Sequence, residues 1–431
     1  MFIYYFIYSV FLFVVLLIYA PFYIRRMKRG SGYRPDLAKR TGFSFPVPRC
    51  KRGPRILIHS VSVGETRAVI PVIRELKARC PECEIYLTTT TGTGQRAAEQ
   101  IGKHLDRVLY FPLDFRFVCA AFLRRVNPDC ICLTETELWP NFIRAASGYG
   151  IPLILINGRI SDKSLRNYRY VKPFVRDVLR RFSILCMQSH LDAERIFSLG
   201  AGPSQVKVTG NIKFDLGHLH VDVGESGALR KRLGLHEGQA VIVAGSTHPG
   251  EEARIIDAYK MLLSEYPDLV LILAPRHVER SESIAKMIKE SGMKSIFWSR
   301  LSENDRIGRG EILQIDVIGL LARIYSLATI VIIGGSFIPH GGQNPLEPAF
   351  FEKPILFGRH MENFRSISGM LTDTEGAIMV RDGNILPILS LLLSDKGRRE
   401  RMGRAAKGVV RANQGSAGRT CDEILRITEG H

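Results

Sequence analysis

Residues 2–23, FIYYFIYSVFLFVVLLIYAPFY, contain no charged side chain. As a helix, such a run reaches about 33 Å, enough to cross a hydrocarbon core. Nor does any positive charge precede the apolar core, as it would in a cleavable signal. The charge follows instead, as Arg25, Arg26, Lys28 and Arg29. By the positive-inside rule the tail leads outward and the body stays in the cytoplasm. We therefore expect a retained N-terminal anchor helix over residues 1–24, spanning or partly embedded. A basic juxtamembrane segment over 25–54 follows it. Ten Lys/Arg lie between Arg25 and Arg52, a collar suited to anionic lipid headgroups.

Acid is scarce across the whole chain: 42 Asp+Glu stand against 60 Lys+Arg, a net charge of +18. That balance calls for an anionic partner. Nucleic acid is not expected, because no recognised module is present and aromatics do not interleave with the basic runs. Of the eight cysteines, CPEC at 80–83 has CxxC spacing but no second pair, which excludes a four-ligand zinc site of that kind. It reads as incidental, and a cytoplasmic body would keep all eight cysteines as thiols. No Asp-x-Asp and no histidine cluster points to a metal.

What is present in quantity is short apolar, β-rich runs. RILIHSV (55–61), EIYLTTTT (84–91), RVLYFPLD (107–114), CICLTETE (130–137), PLILING (152–158), SILCMQS (183–189) and VKVTGN (206–211) form a first series. AVIVAGST (240–247), LVLILAP (269–275), SIFWS (295–299), EILQID (311–316), TIVIIGGS (329–336), PILFG (354–358) and AIMV (377–380) form a second. The runs are continuous rather than alternating, and helix-period stretches separate them. That pattern predicts parallel sheets covered on both faces. The expected class is α/β, with two doubly wound Rossmann-like domains: 55–217, then a linker over 218–238, then 239–431. In this reading the last helix of the second packs back on the first.

Ligands of open α/β sheets bind beyond the strand C-termini, so the residues that end these runs carry the argument. Glu65 stands where the first strand turns into a helix, either as an ordinary helix-start acid or as a general base at a crevice mouth. His59 and Ser62 are expected to line the same turn. TETELWPN (134–141) places Glu135 and Glu137 after another apolar strand, and GNIKFD (210–215) ends the first domain with Lys213. In the second domain AGSTHPGEE (244–252) makes an anion-friendly turn of small residues and free amides. APRH (274–277) offers Pro275 and the fork of Arg276 to a phosphate. GGSFIPHGGQNPLEPA (334–349) joins a strand to a helix through four glycines, with Pro345 starting the helix and Glu347 in its first turn. Together these favour a nucleotide site.

HSVSVGE, TETELWPN, NGRIS, VTGNIKFD, AGSTHPGEE, APRH and GGSFIPHGGQNPLEP, in this order and spacing, resemble the Kdo (3-deoxy-D-manno-octulosonic acid) transferases of lipopolysaccharide synthesis. The resemblance covers essentially the whole chain. It implies a GT-B fold, with the two domains facing a cleft, and a body on the cytoplasmic face of the cell inner membrane. It implies CMP-Kdo as donor and lipid IVA, the tetraacyl lipid A precursor, as acceptor. It places the base on Glu65, transition-state stabilisation on Glu135 and Lys213, and CMP contacts on Pro275, Arg276, Ile318, Gly319, Leu320, Asn344, Pro345, Leu346 and Glu347. The family usually has Met-Gly-Glu where this chain has Ile318-Gly319-Leu320, so Leu320 cannot supply that carboxylate. The single displacement predicts inversion. The one phosphate of the leaving group can be met by Arg276 and helix amides, so neither a metal nor another cofactor is expected. The competing readings are another GT-B sugar-nucleotide transferase or epimerase, and a non-catalytic membrane-tethered anion-binding protein.

Overall fold

The computed structural model describes residues 1–28, 38–41, 53–215, 223–302 and 305–429. The chain divides into two compact units, one of Met1–Asp215 with Gln414–His431 and one of Leu216–Asn413.

The first unit holds seven strands: β1 Arg55–His59, β2 Glu84–Thr89, β3 Arg107–Tyr110, β4 Cys130–Thr134, β5 Leu153–Gly158, β6 Ile184–Met187 and β7 Val206–Val208. They pair in the order β3-β2-β1-β4-β5-β6-β7, all parallel. The unbroken apolar runs have a direct cause, since both faces of the sheet are covered. Ile56, Ile58, Ile85, Cys130 and Cys132 point into one core. Leu57, Tyr86, Ile131 and Leu133 point into the other. Successive strand residues alternate faces, so a strand buried on both sides must be apolar throughout. The C-terminal helix Ser416–Glu429 closes one face with Ala417, Cys421 and Ile424. Its start is fixed by Asp215, whose carboxylate accepts the amides of Gly415 and Ala417, each at 2.6 Å.

The second unit holds β8 Val241–Thr247, β9 Val270–Pro275, β10 Lys294–Phe297, β11 Glu311–Gln314, β12 Ile330–Ile333, β13 Ile355–Gly358 and β14 Ala377–Val380. Their order is β10-β11-β9-β8-β12-β13-β14, again parallel. Each sheet has a point where the chain runs off in opposite directions from adjacent strands: β1 beside β4, and β8 beside β12. The loops leaving those strands diverge and open a crevice.

Several expectations need adjustment. The N-terminal apolar segment is a helix, Phe2–Lys28, but among the described residues no helix is long and apolar enough to cross a membrane. Most of the basic segment 25–54 lies outside the described residues, as do 216–217 at the end of the first domain and 218–222 of the linker. Residues Val223–Arg232 within that region form a helix. Cys80 and Cys83 are not both thiols: they form a disulfide at the end of the helix Ile70–Arg79. The Cys83 amide donates to the Cys80 carbonyl at 3.1 Å. That tight turn leaves the two Cα atoms 5.4 Å apart, within disulfide reach. The other described cysteines are free and buried.

Candidate active site

In the first unit the crevice between β1 and β4 is built around Glu65. Ser62 caps the helix Val63–Ala68, its hydroxyl accepting the Glu65 amide at 3.3 Å and donating to Glu65 Oε1 at 3.0 Å. Oε2 accepts the Val61 amide at 2.7 Å and lies 3.1 Å from the Thr134 hydroxyl at the end of β4. Thr134 also reaches the His59 carbonyl at 2.8 Å. The side chain is thus aimed back over the ends of β1 and β4, yet stays partly open to solvent. His59, expected in the same turn, is instead wholly buried. It stacks on Phe111 at 3.7 Å, and burial drives its imidazole down to about 3. It is a core histidine.

β4 stops at Thr134 because Glu135 takes a left-handed backbone (φ 52°), while its amide donates to Ile156 of β5 at 2.9 Å. A non-glycine residue rarely adopts that conformation, and such strain concentrates at functional sites. Were the strand to continue, Glu135 and Glu137 would face opposite ways; the reversal breaks that alternation. Glu135, 9% exposed, pairs with Lys213 Nζ at 2.9 Å and Arg159 Nε at 3.1 Å. Lys213 is held by a short 3-10 turn, Ile212–Phe214, whose first amide donates to Asn157 Oδ1 at 3.0 Å. Glu137 completes the group. Its burial, then the negative charges of Glu65 and Glu135, push its carboxyl up to about 7. One acid of the cluster therefore exchanges its proton near neutral pH, beside two cations and two further carboxylates.

In the second unit the corresponding crevice lies between β8 and β12. Gly334 makes the close approach: a Cβ there would stand 2.2 Å from the Ser246 carbonyl oxygen. Glu251, 1% exposed, accepts the amides of His248 and Gly335 on one oxygen at 2.9 and 2.7 Å. Its other oxygen accepts Ser336 and Phe337 at 3.1 and 3.0 Å. Of the AGSTHPGEE turn, read as offering free amides to an anion, the His248 amide is thus already held by a carboxylate of the chain. Around this knot Pro275 ends β9 and Arg276 is exposed, its amide bonded to the Thr247 carbonyl at 2.9 Å. His248 faces His340 at 3.9 Å and His277 at 6.0 Å. Burial, then the charge of His340, lowers His248 to about 4. Asn344 bonds Glu347 at 3.2 Å and accepts the Leu346 amide at 3.1 Å. Pro345 precedes the helix Leu346–Phe350. Ile318 is 80% exposed, Gly319 is left-handed (φ 93°) and Leu320 caps the helix Leu321–Tyr325. Tyr325, at the far end of that helix, is held protonated by burial, with a smaller contribution from the charge of Glu347.

Within the first unit, Glu65, Glu135 and Lys213 come together. Within the second, Arg276 and the 344–347 turn gather around one crevice, while no contact is seen between them and the 318–320 segment among the described residues. Sequence reasoning passed over Arg159, Glu137 as a site residue, and Glu251. All three stood inside quoted motifs. Nothing short of the fold shows that Glu251 collects amides from residues more than eighty positions away.

The sequence profile of the 3-deoxy-D-manno-octulosonic-acid transferase (kdotransferase) family matches residues 35–216. The chain is 33% identical over 401 residues to the 3-deoxy-D-manno-octulosonic acid transferase of Haemophilus influenzae, covering 92% of each chain. It is 30% identical over 423 residues to the enzyme of that name from Bordetella pertussis, covering 93% of this chain and 94% of the other. Among solved structures, the UDP-GlcNAc 2-epimerase of Neisseria meningitidis aligns over 88% of this chain and all of its own. The TM-score is 0.60 at 14% identity, a likeness of fold alone.

Proposed function

Because the chain belongs to the 3-deoxy-D-manno-octulosonic acid transferase family, we propose that it transfers Kdo from CMP-Kdo to lipid IVA with inversion, at the cytoplasmic face of the inner membrane. The acceptor hydroxyl oxygen attacks the anomeric carbon of Kdo. The bond from that carbon to the phosphate oxygen breaks, and CMP leaves with the electron pair. Glu65 takes the hydroxyl proton. A base at this point contributes typically about 10²–10⁴-fold. Glu135, Lys213 and Arg159 form a site of net charge +1 (two cations, one carboxylate), suited to the carboxylate of an octulosonic acid or to charge developing on the leaving group. Pro275, Arg276, the 318–320 segment and Asn344–Glu347 bind CMP, with Arg276 on its phosphate. The observation that carries this reading is the placement of Glu65 at the β1/β4 crevice, with open lone pairs and with Glu135 and Lys213 beside it.

The epimerase alternative draws only on shared fold. A non-catalytic anion binder would leave the Glu65–Glu135–Glu137 cluster without a purpose. The test is incubation of the purified chain with CMP-Kdo and lipid IVA, followed by mass spectrometry of the lipid. The expected product carries added Kdo, and the same spectrum counts the sugars. Unchanged lipid IVA in the presence of intact donor rejects the reading.

A further inference from the structure

Three neighbouring strands of the second sheet, β9, β8 and β12, run parallel, and each releases one histidine into the loop beyond its C-terminal end. They are His277, His248 and His340. The sequence keeps them far apart, and the strand order brings them together. The His248 ring lies 3.9 Å from that of His340, tilted by 43°, and 6.0 Å from that of His277, nearly edge-on. His248 is buried, whereas His277 and His340 are exposed. The rings pack on one another, and among the described residues no three His, Cys, Asp or Glu are placed to hold a metal ion.

The group is fixed from several sides. Gln343 Nε2 lies 3.2 Å from His248 Nε2. An amide nitrogen can only donate, so the neutral ring accepts there and carries its proton on Nδ1. Gly335 (φ 66°) leaves room for both: a Cβ on it would stand 3.2 Å from His248 Cδ2 and 3.5 Å from Gln343 Nε2. The loop that carries His340 is tied at its backbone. The His340 amide donates to the Ile338 carbonyl at 2.7 Å, and its carbonyl accepts Asn363 Nδ2 at 3.3 Å. Burial, then the positive charges of His340, His277, Arg276 and Arg280, hold His248 neutral, so five basic side chains share one electrostatic neighbourhood. The acids of the adjoining turn are committed elsewhere. Glu251 gives its oxygens to four backbone amides, and Glu252 meets Arg280 at 2.7 Å. Arg276 is exposed and pairs with no carboxylate among the described residues.

We propose that His277 and His340, ranged around the buried His248 ring, serve the leaving group: their ring N–H groups meet the second negative charge that the CMP phosphate gains as its bond to Kdo breaks. The inference deepens the proposed transfer and rests on it. In the donor the phosphate is a diester with one negative charge, which the fork of Arg276 can match. When the acceptor oxygen attacks, its proton goes to Glu65. The bond from the anomeric carbon to the phosphate oxygen breaks, and that oxygen keeps the electron pair. The phosphate then carries two charges. Donors that meet chiefly the second charge hold the transition state more tightly than the substrate, and only such a difference speeds the step. Two exposed imidazoles next to Arg276, with the nearby acids already engaged, supply those donors.

The first test separates rate from substrate binding in the full chain. His277→Ala with His340→Ala lowers the single-turnover rate at saturating CMP-Kdo by about tenfold, while KM for CMP-Kdo stays within about twofold. A raised KM at unchanged rate, or no change in either, overturns the proposal. The second test needs no turnover: calorimetry of CMP and of its methyl ester, cytidine 5′-(methyl phosphate), which carries one charge as the donor does. The double variant loses about fivefold in CMP affinity and keeps its affinity for the ester. Equal loss for both ligands, or none for either, overturns it. The single variants His277→Gln and His340→Gln, which retain an N–H donor, show the same selectivity at smaller size and guard against a misfolded double variant. A wild-type chain whose preference for CMP over the ester depends on both histidines, yet which transfers no Kdo, defeats the enzymatic reading alone. Transfer by the wild type, with that preference intact in the variants, defeats this inference alone.

Discussion

Glu65 and Glu251 occupy corresponding places in the two units, each after the first strand of its sheet and beside the strand at which the order reverses. Their environments differ. Glu251 is buried and gives both oxygens to four backbone amides. Glu65 is partly exposed and accepts one backbone amide and the hydroxyls of Ser62 and Thr134. A carboxylate offers about four lone-pair directions. Glu251 has spent them on structure, whereas Glu65 keeps capacity toward solvent. A shared local device thus serves in one unit to fix a glycine-rich loop and in the other to hold a partly exposed carboxylate, the group proposed as base.

The sharpest way to break the comparison is through stability. Glu251→Ala leaves four amides without their acceptor, and each buried orphan costs about 1–3 kcal/mol before relaxation. We expect a loss of about 3–5 kcal/mol in the second unit's transition in denaturant unfolding, against about 1 kcal/mol in the first unit's for Glu65→Ala. Similar losses for both would erase the distinction. Next in size is Gly334→Ala. Its Cβ would press on the Ser246 carbonyl, which is backbone and cannot swing aside, so a cost of about 2 kcal/mol is expected. An unshifted thermal midpoint would show the crevice to be looser than described.

Much of this was legible in the sequence, for physical reasons. Residues such as Ile56–Ile58 or Ile330–Ile333 are apolar throughout because both faces of each sheet are covered, and that pattern gives away parallel strands. Glu65 was legible because a lone acid ends an apolar run. What stayed hidden depends on contacts between distant residues or on one backbone angle. Arg159 becomes a site residue only when β5 brings it to Glu135. Glu135 leaves the strand through a left-handed φ that no neighbouring glycine announces. The histidine of HSVSVGE reads as a crevice residue and proves to be core, because its stacking partner Phe111 is fifty residues on. CPEC was dismissed for want of a second pair, although a single turn suffices to join it.

Two smaller effects sharpen the contrast. Arg276→Ala removes the exposed guanidinium proposed for the CMP phosphate, and calorimetric CMP affinity should fall about tenfold; equal affinity would remove Arg276 from the site. The smallest concerns Glu137. Its folded pKa is raised from 4.5 to about 7, so the folded state binds more protons across that window and loses stability as pH rises through it. Glu137→Gln does not titrate. It should exceed wild type by about 1–2 kcal/mol near pH 8, after discounting for solvent screening, with the gap closing below about pH 4.5. Parallel stability curves would place Glu137 outside the carboxylate cluster.

The central claim is that Glu65 is the carboxylate with capacity to spare and uses it as the base. Single-turnover transfer of labelled Kdo by Glu65→Gln, with donor and acceptor saturating, tests it most directly. The expected rate is at least about 100-fold below wild type, with CMP affinity and unfolding midpoint preserved. A rate within about threefold of wild type would contradict the account.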